Sequence, residues 1–142
     1  MSATIWFAPW KPGPAEHTGE PGGAAVVSVT DFAPYRPWTS VGITIAGAAL
    51  RHTWGDVEGA VGLWLWSVPG LSRSRSGSVS VWRDERHLRD FVARHDHVRI
   101  MRTYRNRGDL RSTTWQTEHF DKDATQETAR SLINEWRAQP IR

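Results

Sequence analysis

The chain of 142 residues lacks several features that would have pointed to particular kinds of protein. It contains no cysteine, which excludes a disulfide framework, thiolate catalysis, Cys-ligated zinc and Cys-held iron–sulfur clusters. The longest apolar run, 41–50, is far shorter than the roughly 20 residues that a membrane-spanning helix needs. Residues 1–4 lack the basic region and apolar core of a signal peptide. These absences predict a cytoplasmic protein without a membrane span.

Lysine is also scarce. Lys11 and Lys122 are the only two, so the basic character comes from arginine, and the net charge is only +3. This mild basic bias falls short of a nucleic-acid-binding arm.

The chain is rich in tryptophan, with nine residues. Four of them lie in predicted strands: Trp64, Trp66, Trp82 and Trp115. Large indole groups bury well in a core or interface and also line flat ligand pockets. The group could therefore form a pocket for an aromatic ligand, a polyene or a porphyrin, or belong to the core and a dimer interface.

The composition divides the chain into two parts. Residues 1–23 contain four prolines and four glycines and show no sustained periodicity, which predicts an irregular extension. The aromatic residues Trp6, Phe7 and Trp10 in this extension should fold back over the domain or over a partner subunit. Residues 24–142 carry the periodic patterns of a single domain.

The patterns in this domain alternate between strands and helices. Strands are predicted at 25–30, 60–68, 78–83 and 111–118. Helices are predicted after Thr39 or Ser40, after Asp84, and after Asp123 or Thr125, with 69–77 as a flexible hairpin loop. This order predicts an α+β, ferredoxin-like split βαβ sandwich (βαββαβ plus a C-terminal helix). Its uncovered apolar sheet face would need a partner, which predicts a homodimer in the form of a dimeric α+β barrel.

The stretch after Asp84 carries two apolar stripes that are out of phase. The first ends near His95, and the second consists of His97, Ile100, Met101 and Tyr104 at i, i+3, i+4 and i+7. The change of phase predicts a kink or a restart of the helix, with Asp96 as the cap of its second segment. His97 would then face apolar groups. Burial favours the neutral imidazole, the form that ligates iron or accepts a proton.

The alternative reading of His97 is a core histidine satisfied by a backbone carbonyl. His95 is a weaker candidate because it could simply mark the kink. Arg102 lies one residue past the second stripe and could bind a carboxylate or propionate bidentately. The other arginines between 94 and 111 fit a solvated helix face and loop.

At this point a family resemblance is visible. Val79-Ser80-Val81-Trp82, followed by Leu88, Phe91, Val92, Arg94, His97, Met101 and Arg102, resembles the centre of the spheroidene-monooxygenase-like proteins. These belong to the dimeric α+β barrel superfamily, which includes antibiotic-biosynthesis monooxygenases and haem-degrading enzymes. The family histidine of this helix falls on His97.

The resemblance implies a monooxygenase of secondary metabolism that acts on a hydrophobic aromatic or polyene small molecule. Catalysis would involve His97, His95 and Arg102. If haem is bound, His97 would be its axial metal ligand, and Trp66, Trp82, Met101 and Tyr104 would contact it. Without a cofactor, His97 would remove an acidic proton and the carbanion would react with oxygen.

Two other classes of function compete with this reading. A non-redox cyclase, isomerase or ligand-binding protein could use the same barrel pocket. The element order also matches the RNA-recognition fold, but 75–82 lacks aromatic residues at the positions that stack bases. We therefore expect no nucleic-acid partner.

Overall fold

The computed structural model describes residues 4–16, 23–68 and 74–138, apart from the side chains of His95 and Asp96. The strands are β1 (Trp6–Phe7), β2 (Lys11–Pro12), β3 (Ala25–Pro34), β4 (Ala60–Val68), β5 (Arg75–Trp82) and β6 (Gly108–Thr117). The helices are α1 (Pro37–His52), α2 (Glu85–Val92), α3 (His95–Tyr104) and α4 (Lys122–Ala138), with a 3-10 turn at Trp54–Asp56.

The strands form one antiparallel sheet in the order β1-β4-β5-β3-β6, with β2 also pairing with β4. The four long strands lie in the sheet in the order β4-β5-β3-β6, which is the strand order of a ferredoxin-like α+β sandwich. The α+β class and the ferredoxin-like strand order are therefore confirmed.

The alternation along β4 and β5 explains why these segments form central strands. β4 buries Leu63 on one face and Trp64 and Trp66 on the other, as expected for a strand covered on both sides. β5 sends Val79 and Val81 to the side of Trp64, whereas Trp82 points the other way. The alternation along β5 and the burial of β4 on both faces were predicted from the sequence.

Each face of the sheet has its own covering. We call the face that carries Val26, Leu63 and Trp82 the helix-side face, because α1, the 3-10 turn and α2 pack on it. The other face, which carries Val27, Val79 and Trp66, is called the opposite face. It is covered by Ile133 and Trp136 of α4 and by Ile5, Phe7, Trp10 and Ala15 of the N-terminal segment.

The N-terminal segment was predicted to be irregular, but part of it belongs to the sheet. β1 and β2 pair with the edge of β4, with Phe7 opposite Trp66 and Pro12 opposite Gly62. The indole of Trp10 lies against Gly62, where any Cβ would meet the ring within 1.9 Å. The absence of a side chain at Gly62 therefore allows the segment to lie flat on the sheet. The predicted folding back over the domain is confirmed for Phe7 and Trp10, but not for Trp6, which is 66% exposed.

This covering bears on the predicted dimer. The apolar opposite face was expected to need a second subunit, but α4 and the N-terminal segment of the same chain bury it. The physical reason given for a dimeric barrel therefore no longer holds, and the barrel itself stays a prediction.

Three predicted helix starts were wrong. α1 begins at Pro37, ahead of Thr39 and Ser40, because proline at the first position has its φ preset and needs no hydrogen-bond partner. The second half of the split helix restarts at His95, after the N-cap Arg94, so Asp96 lies inside α3. At α4 the carboxylate of Asp121, and not Asp123 or Thr125, accepts a hydrogen bond from the Ala124 N–H at 2.8 Å.

The start of α2 was predicted correctly. Its N-cap Asp84 accepts the backbone N–H of His87 at 2.9 Å. The split between α2 and α3 is the restart that the change of stripe predicted.

One buried ion pair crosses the sheet on the opposite face. Asp31 of β3 is fully buried and receives two hydrogen bonds from the guanidinium of Arg75 on β5. The Arg75 side chain, in contrast, is 15% exposed. The ion pair connects the first residue of β5 to the neighbouring strand β3. Among the described residues, no helix is long and apolar enough to cross a membrane.

Candidate functional site

The two faces of the central strands differ in chemistry and in access. On the opposite face Val27, Val29, Val79 and Val81 are fully buried and purely apolar. On the helix-side face the same strands carry hydroxyl groups, which we call the hydroxyl patch: Ser28, Thr30, Ser78 and Ser80. Thr30 and Ser78 remain half-buried beneath the helices. The polar and partly exposed groups of these central strands therefore include the hydroxyl patch on the helix-side face, whereas the four valines on the opposite face are sealed from solvent.

The hydroxyl patch is internally hydrogen-bonded. Thr30 Oγ1 and Ser78 Oγ share a hydrogen bond of 2.8 Å, and the Ser78 N–H donates to Thr30 Oγ1 at 3.1 Å. The Ser80 hydroxyl lies 3.4 Å from the Ser28 carbonyl oxygen, to which it donates. These bonds fix the hydroxyl groups in place.

An aromatic cluster closes one end of the patch. The ring centroids of Trp54, Trp82 and Phe91 lie 5.1 to 5.5 Å apart, and all three side chains are buried. The indole N–H of Trp82 donates to Ser80 Oγ at 3.0 Å and so joins the cluster to the patch. His97 extends the cluster, because its ring packs edge-on against Phe91 at 5.0 Å.

Helix α3 brings two polar rings to this side of the sheet. His97 and Tyr104 lie seven residues apart, which places them on one face of the helix. The Tyr104 ring packs edge-on against Phe32 of β3 with centroids 6.2 Å apart. Its hydroxyl lies against α1 at Gly42, where a Cβ would come within 2.6 Å of the oxygen. Three of the four residues of the predicted second stripe, His97, Ile100 and Tyr104, are therefore half-buried, as the stripe predicted.

The structure separates other residues that the sequence analysis had grouped. Trp66 lies on the opposite face and Trp82 on the helix-side face, so the strand tryptophans do not line one pocket. Met101 is 36% exposed. Arg102 is exposed, five residues from His97 and so on the other side of α3. His95 is the first residue of α3, and its side chain lies outside the described part of the chain.

These positions decide whether the predicted haem contacts fit. Only His97, Trp82 and Tyr104 share the helix-side face, while Trp66 lies across the sheet and Arg102 faces away. The ring of His97 is packed against Phe91. The proposed set therefore does not form a haem pocket, and we derive no step through haem. The described residues also contain no group of three or more His, Asp or Glu side chains placed to hold a metal ion.

Two features of the site were missed by sequence reasoning. Trp54 is fully buried at the centre of the aromatic cluster, and its indole N–H has no hydrogen-bond partner among the described residues. His87 is half-buried, with Nδ1 2.8 Å from Asp84 Oδ1. A histidine three residues after an Asp cap was the available signal for this contact.

The comparisons with known proteins bear on the fold alone. No protein-family model and no curated protein matches the chain. The chain is similar to a solved structure from Bacteroides thetaiotaomicron, described as a conserved protein of unknown function and possible oxidoreductase. The match has a TM-score of 0.53 and 8% sequence identity, and covers 66% of this chain and 98% of that one.

A second solved structure is a VAO-type flavoprotein from Myceliophthora thermophila, with a TM-score of 0.45 and 12% identity. The match covers 69% of this chain but only 19% of the flavoprotein. The first similarity agrees with the ferredoxin-like α+β architecture.

Proposed function

We propose that this protein is an oxidoreductase of the monooxygenase type that acts on a hydrophobic aromatic or polyene small molecule. The observation that carries the proposal is the joint placement of His97, the aromatic cluster and the hydroxyl patch on the helix-side face. Aromatic rings offer an apolar contact for such a substrate, and hydroxyl groups can orient a phenol or ketone on it. Kinship with the spheroidene-monooxygenase-like proteins is part of this proposal.

In this proposal His97 is the proton acceptor. The imidazole is half-buried, and its ring packs against Phe91 with the centroids 5.0 Å apart. It would take a proton from an acidic C–H or phenolic O–H of the substrate. The resulting anion would supply the electrons to oxygen, so that a CH2 group becomes a carbonyl and the second oxygen atom leaves as water. This route uses no metal and no cofactor.

Tyr104 and the hydroxyl patch would position the substrate. Tyr104 lies between α1 and β3, two turns along α3 from His97, so its ring borders the same side of the sheet. Thr30 and Ser78 are half-buried and could exchange their mutual hydrogen bond for one to a substrate oxygen.

A non-redox reaction is the second candidate. Proton transfer by His97 next to fixed hydroxyl groups would equally serve an isomerase or a cyclase, because neither requires oxygen. The hydroxyl patch supports this reading, since its hydrogen-bonding groups could orient a substrate for proton transfer.

Oxygen consumption with a panel of phenolic and polyene compounds tests the proposal. Wild type should consume oxygen with at least one compound class, and His97→Ala should lose about a hundredfold or more in rate, as expected for removal of a general base. His119→Ala, at an exposed loop position, is the matched control and should be unaffected. Loss of substrate without oxygen uptake would favour the non-redox reading. Equal rates for wild type and His97→Ala would contradict both.

The haem version is tested by adding hemin and recording the visible spectrum of wild type and His97→Ala. A Soret band that appears in wild type and is lost in His97→Ala would show that the protein binds haem through His97. Its absence in both proteins would leave the cofactor-free route.

A further inference from the structure

The outer surface of helix α1 is apolar and uncovered by any described residue. The side chains of Trp38, Val41 and Ile45 are 65%, 62% and 66% exposed and lie at i, i+3 and i+7, on one stripe. The exposed Ala48 and Ala49 continue this stripe. Thr39 is the only buried residue of this 16-residue helix. An exposed apolar stripe of this length marks an interaction surface.

The neighbouring helix α3 gives this surface a positive charge. α3 contacts α1 through Tyr104 and Gly42 on the same side of the sheet, so the outer sides of both helices face the same way. Arg102 and Arg105 are exposed on and just after α3. We call these residues, together with Trp38, Val41 and Ile45, the outer helix surface.

Charge is distributed unevenly between this region and the rest of the chain. Segments 36–52 and 94–107 contain seven arginines and a single acidic residue, Asp96. Because the whole chain has 18 basic and 15 acidic residues, the remainder holds eleven basic and fourteen acidic residues. The helix layer around α1 and α3 is therefore strongly basic, whereas the remainder is mildly acidic. Such asymmetry directs the basic side toward an anionic partner.

We propose that the outer helix surface docks on an anionic lipid bilayer. An uncharged apolar stripe can enter the headgroup region, while arginines beside it contact lipid phosphates. Trp38 and Arg36 stand together at the start of the stripe, with the guanidinium 5.2 Å from the indole ring centroid. Tryptophan and arginine are favoured at the interface between lipid and water.

The charge pattern argues against a second copy of the chain as the occupant. A twofold contact places the same patch on both sides of the interface. The arginines of both copies, Arg102 and Arg105 among them, would then be gathered in one interface without acidic partners from this surface, and the concentration of like charge opposes association. An anionic lipid surface has the opposite sign and carries no such penalty.

The position of this surface connects it with the site beneath. α1 and α3 pack on the helix-side face, so docking would bring this face of the protein close to the bilayer. Hydrophobic substrates partition into bilayers. The docking proposal nevertheless rests on surface exposure and charge and stands apart from the proposed reaction.

Vesicle co-sedimentation tests the proposal, with phosphatidylcholine vesicles that contain or lack phosphatidylserine. Wild type should bind the vesicles containing phosphatidylserine, and binding should weaken as salt rises from about 0.1 M to about 1 M. Arg102→Gln with Arg105→Gln should weaken binding about thirty-fold. Val41→Gln with Ile45→Gln should weaken it about tenfold or more, because two buried apolar contacts are lost.

The matched control changes the net charge by the same amount elsewhere. Ala124→Glu with Ser131→Glu places two negative charges at exposed positions of α4, across the sheet, and should retain binding within about threefold. Thermal unfolding of each variant verifies its fold. No binding by wild type, or equal binding by all variants, would overturn the proposal. So would a wild-type dimer in analytical ultracentrifugation that Val41→Gln with Ile45→Gln dissociates, because the stripe would then be a self-association surface.

Discussion

Adding one methyl group at Gly42 tests how α1 and α3 meet above the sheet. A Cβ at this position would lie 2.6 Å from the Tyr104 hydroxyl oxygen but 3.5 and 3.6 Å from the nearest ring carbons. Alanine in a helix interior is more favourable than glycine by about 1 kcal/mol. In wild type this gain should be cancelled or exceeded by displacement of the tyrosine, since overpacking costs about 1–3 kcal/mol. With Tyr104→Phe the hydroxyl is gone and ordinary contact distances remain.

The expected outcome is a dependence of the Gly42→Ala effect on its background. Gly42→Ala should stabilise the Tyr104→Phe protein by about 1 kcal/mol and leave wild type unchanged or less stable. Urea unfolding of the four proteins gives the coupling free energy, expected at about 1–2 kcal/mol. Gly47→Ala is the control, because its Cβ would meet only Leu65, at 3.6 Å or more, in either background. Equal stabilisation by Gly42→Ala in both backgrounds would refute the close approach of the two helices.

Three further predictions concern stability. Asp31→Asn should lower the free energy of unfolding by about 3–5 kcal/mol in urea, because Arg75 would remain largely buried opposite a neutral group; a loss under about 1 kcal/mol would contradict the buried pair. Asp84→Ala should cost about 1 kcal/mol at neutral pH through loss of the α2 cap. The hydrogen bond from the backbone N–H of His87 lowers the pKa of Asp84 below its ordinary value of 3.8. The stabilisation by this cap is therefore fully present above pH 3.8 and is lost as the pH falls through the lowered pKa. A stability difference between wild type and Asp84→Ala that grows in acid would contradict this. Ile133→Ala should cost about 2–5 kcal/mol by thermal or urea unfolding, and a negligible loss would mean that α4 does not seal the opposite face.

The sequence predicted the order of the elements because each has a strong local signal. β4 was placed at 60–68, as observed, since a run with almost no polar side chain is typical of a strand buried on both faces. Asp84 was recognised as a cap because its carboxylate is the usual acceptor for the first free N–H groups of a helix. The restart at His95 followed from the change of phase between the two stripes.

The sequence could not predict which helices and segments cover each face of the sheet. Alternation shows that Trp64 and Leu63 point in opposite directions, but it does not show which of them faces α1 or α4. The strand tryptophans were grouped as one pocket because their separation depends on a register that only strand pairing fixes. The N-terminal segment was read as irregular since two-residue strands have no periodicity, and pairing with β4 supplies their structure.

A chemical-shift titration of the 15N-labelled protein with the polyene probe cis-parinaric acid would show whether a hydrophobic ligand binds at the helix-side face near His97. We expect saturable shifts of the amide signals of Ser78, Ser80, His97 and Tyr104, and weaker binding by His97→Ala. Shifts confined to Ile133 and other residues of the opposite face, or no saturable shifts at all, would contradict it.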